Sequence, residues 1–295
     1  MPSAMIDSNL RVAVVTGASR GVGKGIAVAL GATGATVYVT GRSSETGKAH
    51  PLGGSVQTTA DAVTAVGGRG IAVQCDHSSD DEVRALFQRV AEERGRLDIL
   101  VNNATAIPRE LAKPGPFWEK SLELLNLLDV GLRSHYVASH CAAPLMIATG
   151  GGLIAFTSSY GGRIYMHGPA YGAGKAGVDK MAMDMGVDLR DHDVAVVSLW
   201  LGFVRTERNE PLFQHPDAMK GPYGRFLRNA ESPDFIGRVI DALHRDDERM
   251  ERSGRVLIAA ELAEELGVRE ADGRHPKSNR DTLGAPPEPS PVVVR

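Results

Sequence analysis

The chain has 295 residues, 42% of them hydrophobic and 23% charged, and a formal net charge of −3. A chain this long and this apolar can bury its own core without a disulfide or metal staple, and the near-neutral charge offers no electrostatic footprint for nucleic acid or anionic lipid. The two cysteines, Cys75 and Cys141, exclude a disulfide scaffold and fit a reducing, cytoplasmic compartment.

Residues 1–9 lack the basic start and apolar run of a signal peptide and read as an N-terminal extension. No stretch approaches the roughly 18 apolar residues of a membrane span. From there the chain alternates. Short β-branched runs at 12–16, 36–40, 70–75, 97–101, 153–157, 194–199 and 255–259 are separated by helix-length stretches. The runs are nearly continuous in apolar residues, as strands covered on both faces are. Between them, 80–95 places Val83, Leu86, Phe87 and Val90 on one helical face. The alternation predicts an α/β fold with a doubly wound, seven-stranded parallel sheet, one domain over 10–271. Three stretches depart from it: a polar loop at 43–54, a long Pro/Gly-rich connection at 205–232, and a tail at 272–295 with five prolines and no helical pattern, expected to be extended or disordered.

Glycine is in excess, at 34 residues, without a Gly-X-Y period. Part of the excess follows the first strand: Thr16-Gly17-Ala-Ser-Arg20-Gly21-Val-Gly23-Lys-Gly25, opening directly into an apolar-periodic helix. Strand, glycine turn and helix N-terminus form an anion site, because missing β-carbons admit a pyrophosphate to the backbone N–H groups. The second strand ends in Gly41-Arg42 rather than in an acid, and Arg20 lies in the glycine loop. Two arginines and no carboxylate favour the 2′-phosphate of NADP(H), with NAD(H) as the alternative. Asp76, beside His77, suits either an adenine amine or the turn before the next helix.

Tyr171 and Lys175 are four residues apart in a helix opening at Pro169, so they share a face. An ammonium beside a phenol lowers its pKa, and so does the helix N-terminus, which predicts a Tyr171 able to exchange a proton near neutrality. Twelve and thirteen residues earlier, Ser159 and Ser158 close the fifth strand, where a hydroxyl can hold a substrate carbonyl.

These residues resemble the short-chain dehydrogenase/reductase family over roughly residues 10–260. The likeness rests on the glycine loop, on Asn102-Asn103-Ala104, on Ser159, Tyr171 and Lys175, and on Leu201-Gly202-Phe203-Val204-Arg205-Thr206. The runs 131–136 and 198–200 resemble one branch of it. The resemblance implies a single-domain Rossmann fold and hydride transfer between NADP(H) and a carbonyl or alcohol. Tyr171 would be the acid–base, Lys175 would support it and hold the nicotinamide ribose, and Ser159 would bind the carbonyl. It further implies a cofactor site made by Thr16, Gly17, Ser19, Arg20, Gly21, Val22, Gly23, Arg42, Asp76, His77, Asn103, Ala104, Gly202, Val204 and Thr206 with Tyr171 and Lys175. Ser158, His167, Leu201 and Phe203 would face the substrate; the usual spacing selects Ser158 as the catalytic serine and alignment of the serine pair selects Ser159. The surface-polar reading of His167 carries the greater weight. The 205–232 segment would cap the pocket with Leu212, Phe213, Tyr223 and Phe226, suiting an apolar substrate. Small residues on 118–149 and 170–190 imply a homodimer or homotetramer.

Three positions depart from the family pattern. Thr105 replaces a glycine, Leu201 a proline, and Gly131 the asparagine that usually completes the proton relay. They motivate a second reading, a dinucleotide sensor with weak or lost catalysis. The nine histidines show no metal-ligand spacing, and no metal site is expected.

Overall fold

The seven apolar runs form seven strands: β1 (Val12–Val15), β2 (Thr36–Gly41), β3 (Arg69–Gln74), β4 (Ile99–Asn102), β5 (Gly152–Ser158), β6 (Val194–Trp200) and β7 (Arg255–Ile258). The computed structural model describes residues 11–44, 51–215, 217–221 and 223–294; the 1–9 extension and the middle of the 43–54 loop lie outside them. All neighbouring strands are parallel, in the order β3-β2-β1-β4-β5-β6-β7. The direction of winding reverses between β1 and β4, the place where such sheets open a ligand crevice.

Six long helices cover the sheet: α1 (Gly21–Gly31), α2 (Val56–Ala65), α3 (Asp80–Arg94), α4 (Ser134–Ala148), α5 (Pro169–Leu189) and α6 (Pro233–Arg245). Ala13 and Val15 of β1 face a core shared with Ile26 and Leu30 of α1, Val63 of α2 and Val239 of α6. Val12 and Val14 face the opposite core, with Val83 and Phe87 of α3, Ala142 of α4 and Val178 of α5. Burial on both faces explains why the strands read as unbroken apolar runs. Val83, Leu86, Phe87 and Val90 are buried together on α3, which ends at a left-handed Gly95.

The stretch read as one helix over 118–149 is stepped. Single 3₁₀ turns (Phe117–Glu119, Leu122–Leu125) precede a π-helical turn (Asp129–Arg133) that runs into α4. Lys120 is extended and stops the first turn, and Gly131 lies inside the π turn. Segment 205–232 folds into two short helices, Glu210–Gln214 and Gly224–Arg228.

Part of the tail packs back on the domain. Asn229 exchanges two hydrogen bonds with the Lys277 backbone, Arg280 makes a paired contact with Glu261, and the Asn279 N–H donates to the Tyr160 hydroxyl at 3.2 Å. Its partners lie far away in sequence, so no local periodicity announces the docking. Among the described residues, none from Gly284 to Val294 belongs to a helix or strand.

Candidate active site

The carboxyl ends of β4, β5 and β6 lie side by side, pairing Asn102 with Phe156 and Ser158 with Trp200. They deliver Asn103, Ser159 and Gly202 to one edge of the sheet. Beside them a cleft of about 450 Å³ follows the glycine loop. Gly17, Ser19, Arg20, Gly21, Val22, Gly23, Arg42, His77, Asn103, Ala104, Val204 and Thr206 all line it, as expected from sequence. Thr16 lies one layer behind, where its Oγ1 accepts the Asn103 and Ala104 N–H groups at 2.9 and 3.0 Å. The glycines are sterically required: a Cβ on Gly17 would stand 2.7 Å from Ala104 Cα, and one on Gly23 would stand 2.5 Å from Asn103 Nδ2.

Arg20 and Arg42 do different things. Arg20 donates to Ser43 Oγ at 2.8 Å and to the Gly53 and Gly54 carbonyls at 2.7 and 3.0 Å, so it staples the loop after β2. Arg42 is exposed, with Asp76 at 3.9 Å. Asp76 is absent from the cleft wall. Its carboxylate accepts from Ser78 N and Oγ at 2.9 and 2.7 Å, the turn before α3 that was its alternative reading. His77 is buried against Thr40 Oγ1 at 2.8 Å, and burial pulls its pKa down to about 4.

Ser159 Oγ lies 2.8 Å from the Tyr171 hydroxyl. Lys175 Nζ donates to the Thr157 carbonyl at 2.9 Å and sits 5.9 Å from the Tyr171 ring centre. Gly161 lets the ring approach, since a Cβ there would stand 2.4 Å from Tyr171 Cε1. Ser158 is buried on the other side of the strand end, toward Asp179, so Ser159 is the serine that meets the tyrosine. The expected downward shift of the phenol is not found: burial raises the Tyr171 pKa, with the Ser159 hydrogen bond opposing. Burial pulls Lys175 down to about 8, Asp179 opposing. His167 adopts a left-handed backbone (φ 60°) and sets its ring edge-on to Tyr171, 5.1 Å away. Leu201 packs against the core and Phe203 against Phe213.

Two of the unusual positions meet. A Cβ on Gly131 would stand 3.1 Å from Thr105 Oγ1, so Thr105 occupies the ground that a side chain at 131 would take. At the third, the Leu201 N–H donates to the Ser158 carbonyl at 3.3 Å, a bond proline cannot make.

Three carboxylates escaped the sequence reading. Glu207 accepts the Gly21 N–H at 3.0 Å, inside the cleft. Glu231 accepts the Gly202 N–H at 2.9 Å, and burial pushes its pKa up to about 8. Asp179 is buried one turn beyond Lys175. Only Asp179 left a signal, continuing the four-residue spacing of Tyr171 and Lys175; the other two act across 186 and 29 residues.

The cradle fits a dinucleotide. The Glu207 carboxylate already sits as an anion on the first N–H of α1, and the glycine walls leave room for a diphosphate at the same place. Among the described residues no helix is long and apolar enough to cross a membrane, and no cluster of potential metal ligands forms. Residues 11–217 match the short chain dehydrogenase family. The chain is 41% identical over 272 residues to Dehydrogenase/reductase SDR family member 1 of Mus musculus (90% of this chain, 84% of the relative), and 40% identical to the Homo sapiens protein of the same name over 274 residues (90% and 85%). Among solved structures, a short-chain type dehydrogenase/reductase from Mycobacterium marinum superposes with a TM-score of 0.69 at 26% identity, covering 86% of this chain and 95% of the other. With the glycine cradle and the Ser159–Tyr171–Lys175 cluster on one sheet edge, and a relative this similar along nine-tenths of this chain, the chain belongs to the short-chain dehydrogenase/reductase family of oxidoreductases.

Proposed function

We propose that the chain reduces the carbonyl of an apolar small molecule with a preference for NADP(H) over NAD(H), using Tyr171 as proton donor. The observation that carries the reading is the 2.8 Å contact between Ser159 Oγ and the Tyr171 hydroxyl, beside a partly buried Lys175. Bound in the cleft, the dinucleotide supplies the hydride. Ser159 Oγ hydrogen-bonds the substrate oxygen and aligns it with the Tyr171 hydroxyl. Because burial raises the Tyr171 pKa, the phenol holds its proton at neutral pH and can donate it to an oxygen gaining charge. Lys175, near 8, sits close enough to neutrality to return a proton to Tyr171. His167 and Phe203 stand at the substrate side, Phe203 being linked through Phe213 to the 205–232 segment. Convergence of the three polar side chains supports turnover over a purely sensing role.

NADP(H) preference rests on Arg42, exposed at the end of β2 with no ribose-binding acid beside it on the strand. Arg42→Ala is expected to weaken NADPH binding roughly tenfold and to leave NADH nearly unchanged, consistent with loss of one charge-assisted contact. Equal losses for both cofactors would remove the preference from Arg42. A homodimer or homotetramer is supported by the exposed Leu122, Leu125 and Tyr136 and is checked by light scattering. A cytoplasmic location is supported by the two free cysteines.

The test is NADPH oxidation against ketones and aldehydes of graded size. Tyr171→Phe is expected to lose about 10²–10⁴-fold in kcat on any substrate found, the usual contribution of a positioned acid. Full turnover by that variant would end the assignment.

A further inference from the structure

Lys175 is partly buried with its Nζ held on the Thr157 carbonyl, and an ammonium drawn out of water without a countercharge is costly. One turn along α5, Asp179 is 2% exposed. Two donors on β6 fix its carboxylate: Ser198 Oγ at 2.7 Å to Oδ1 and Trp200 Nε1 at 2.9 Å to Oδ2. Gly162 leaves the carboxylate its space, since a Cβ there would stand 2.9 Å from Oδ2. Residues four apart share a helical face, so Tyr171, Lys175 and Asp179 descend from the site into the core in one file.

We infer that Asp179, fixed by Ser198 and Trp200, is a positioning residue that keeps Lys175 charged and in place beneath Tyr171. The inference rests on the Tyr171–Lys175 reading of the site. Lys175 is faced by Tyr171 and Asp179 on its own helix and by His135 from α4. His135 is fully buried against the Ala104 carbonyl, and burial lowers its pKa to about 3, so it is neutral. Asp179 is faced by neutral donors from β5 and β6, with Lys175 the cation acting on it. It is therefore the anion that offsets the burial of Lys175.

The test reads Lys175 directly. In protein labelled with nitrogen-15 lysine, the buried ammonium donating to Thr157 exchanges slowly and gives its own signal, assigned by its loss in Lys175→Met. Its titration midpoint is expected near 8 in the native chain. In Asp179→Asn the midpoint is expected to fall by about one unit, the size of effect an opposite charge at this range exerts. Trp200→Phe, which removes one donor from the carboxylate, is expected to lower it by less. The alkaline limb of the kcat/KM profile is expected to follow in both variants. An unmoved midpoint in Asp179→Asn overturns the inference. If that variant does not fold, an unmoved midpoint in Trp200→Phe does so. Because the titration needs no substrate, its failure is distinct from the failure of Tyr171 as proton donor, which Tyr171→Phe reads.

Discussion

Thr105 and Gly131 show how one residue choice answers another. Thr105 projects from the loop after β4 to within 3.1 Å of where a Gly131 Cβ would stand. A side chain at 131 then needs Thr105 to yield, and because Thr105 is exposed the cost falls at the low end of overpacking, about 1 kcal/mol. Gly131→Asn is therefore expected to destabilise the chain by roughly that amount, and Thr105→Gly to restore most of it. Additive losses in a double-mutant cycle of denaturant midpoints would mean that the two positions are independent. Read one at a time along the sequence, each looks like a defect of the catalytic apparatus. Tyr171 carries a similar lesson: its four-residue spacing to Lys175 is legible, but the balance between a nearby cation and burial is not. In the folded chain burial prevails.

At the level of elements, the strands are legible because each is covered on both faces and spells that out in consecutive apolar residues. The glycine loop and the Tyr171–Lys175 helix are legible because each motif lies within a few consecutive residues. The stepped approach to α4 and the docked tail are not, since they depend on a π turn and on contacts such as Arg280 with Glu261. The 205–232 segment reads in sequence as a long connection and, by resemblance, as a cap, yet in the fold it also reaches the glycine-loop end of the cleft through Glu207 on Gly21. On the proposed reading, a dinucleotide diphosphate at this N–H would displace that carboxylate. Glu207→Gln is therefore expected to tighten NADP⁺ binding about fivefold in a calorimetric titration, equivalent to roughly 1 kcal/mol. Unchanged or weaker binding would show that Glu207 does not compete for the anion site.

For the whole molecule, buried titratable groups set the response to pH. His77, His135 and His244 are held near 4, 3 and 4 by burial, below the roughly 6.5 of an unfolded chain. The unfolded state takes up protons that the folded state refuses, so stability drains away as pH falls from about 6.5 toward 4. Glu231, raised to about 8, acts the other way, its contribution being lost as pH rises through 8. Asp179, also raised, opposes the histidines as well. With three histidines against these two carboxyls, the thermal midpoint is expected to drop between pH 6.5 and 4.5, and a level or rising midpoint there would contradict the burial of neutral imidazoles. The docked tail adds a consequence of another kind. Of the two tryptophans, Trp118 is 71% exposed and Trp200 is fully buried. Trp200 donates to Asp179 and packs on Tyr160, whose hydroxyl holds the tail. A Trp118→Phe chain would thus carry a single tryptophan, shielded from aqueous quenchers, in contact with Asp179 and one ring away from the C-terminal strap. Excited selectively, its emission would report both the charge state of Asp179 and the unfastening of the tail, without substrate, cofactor or added dye.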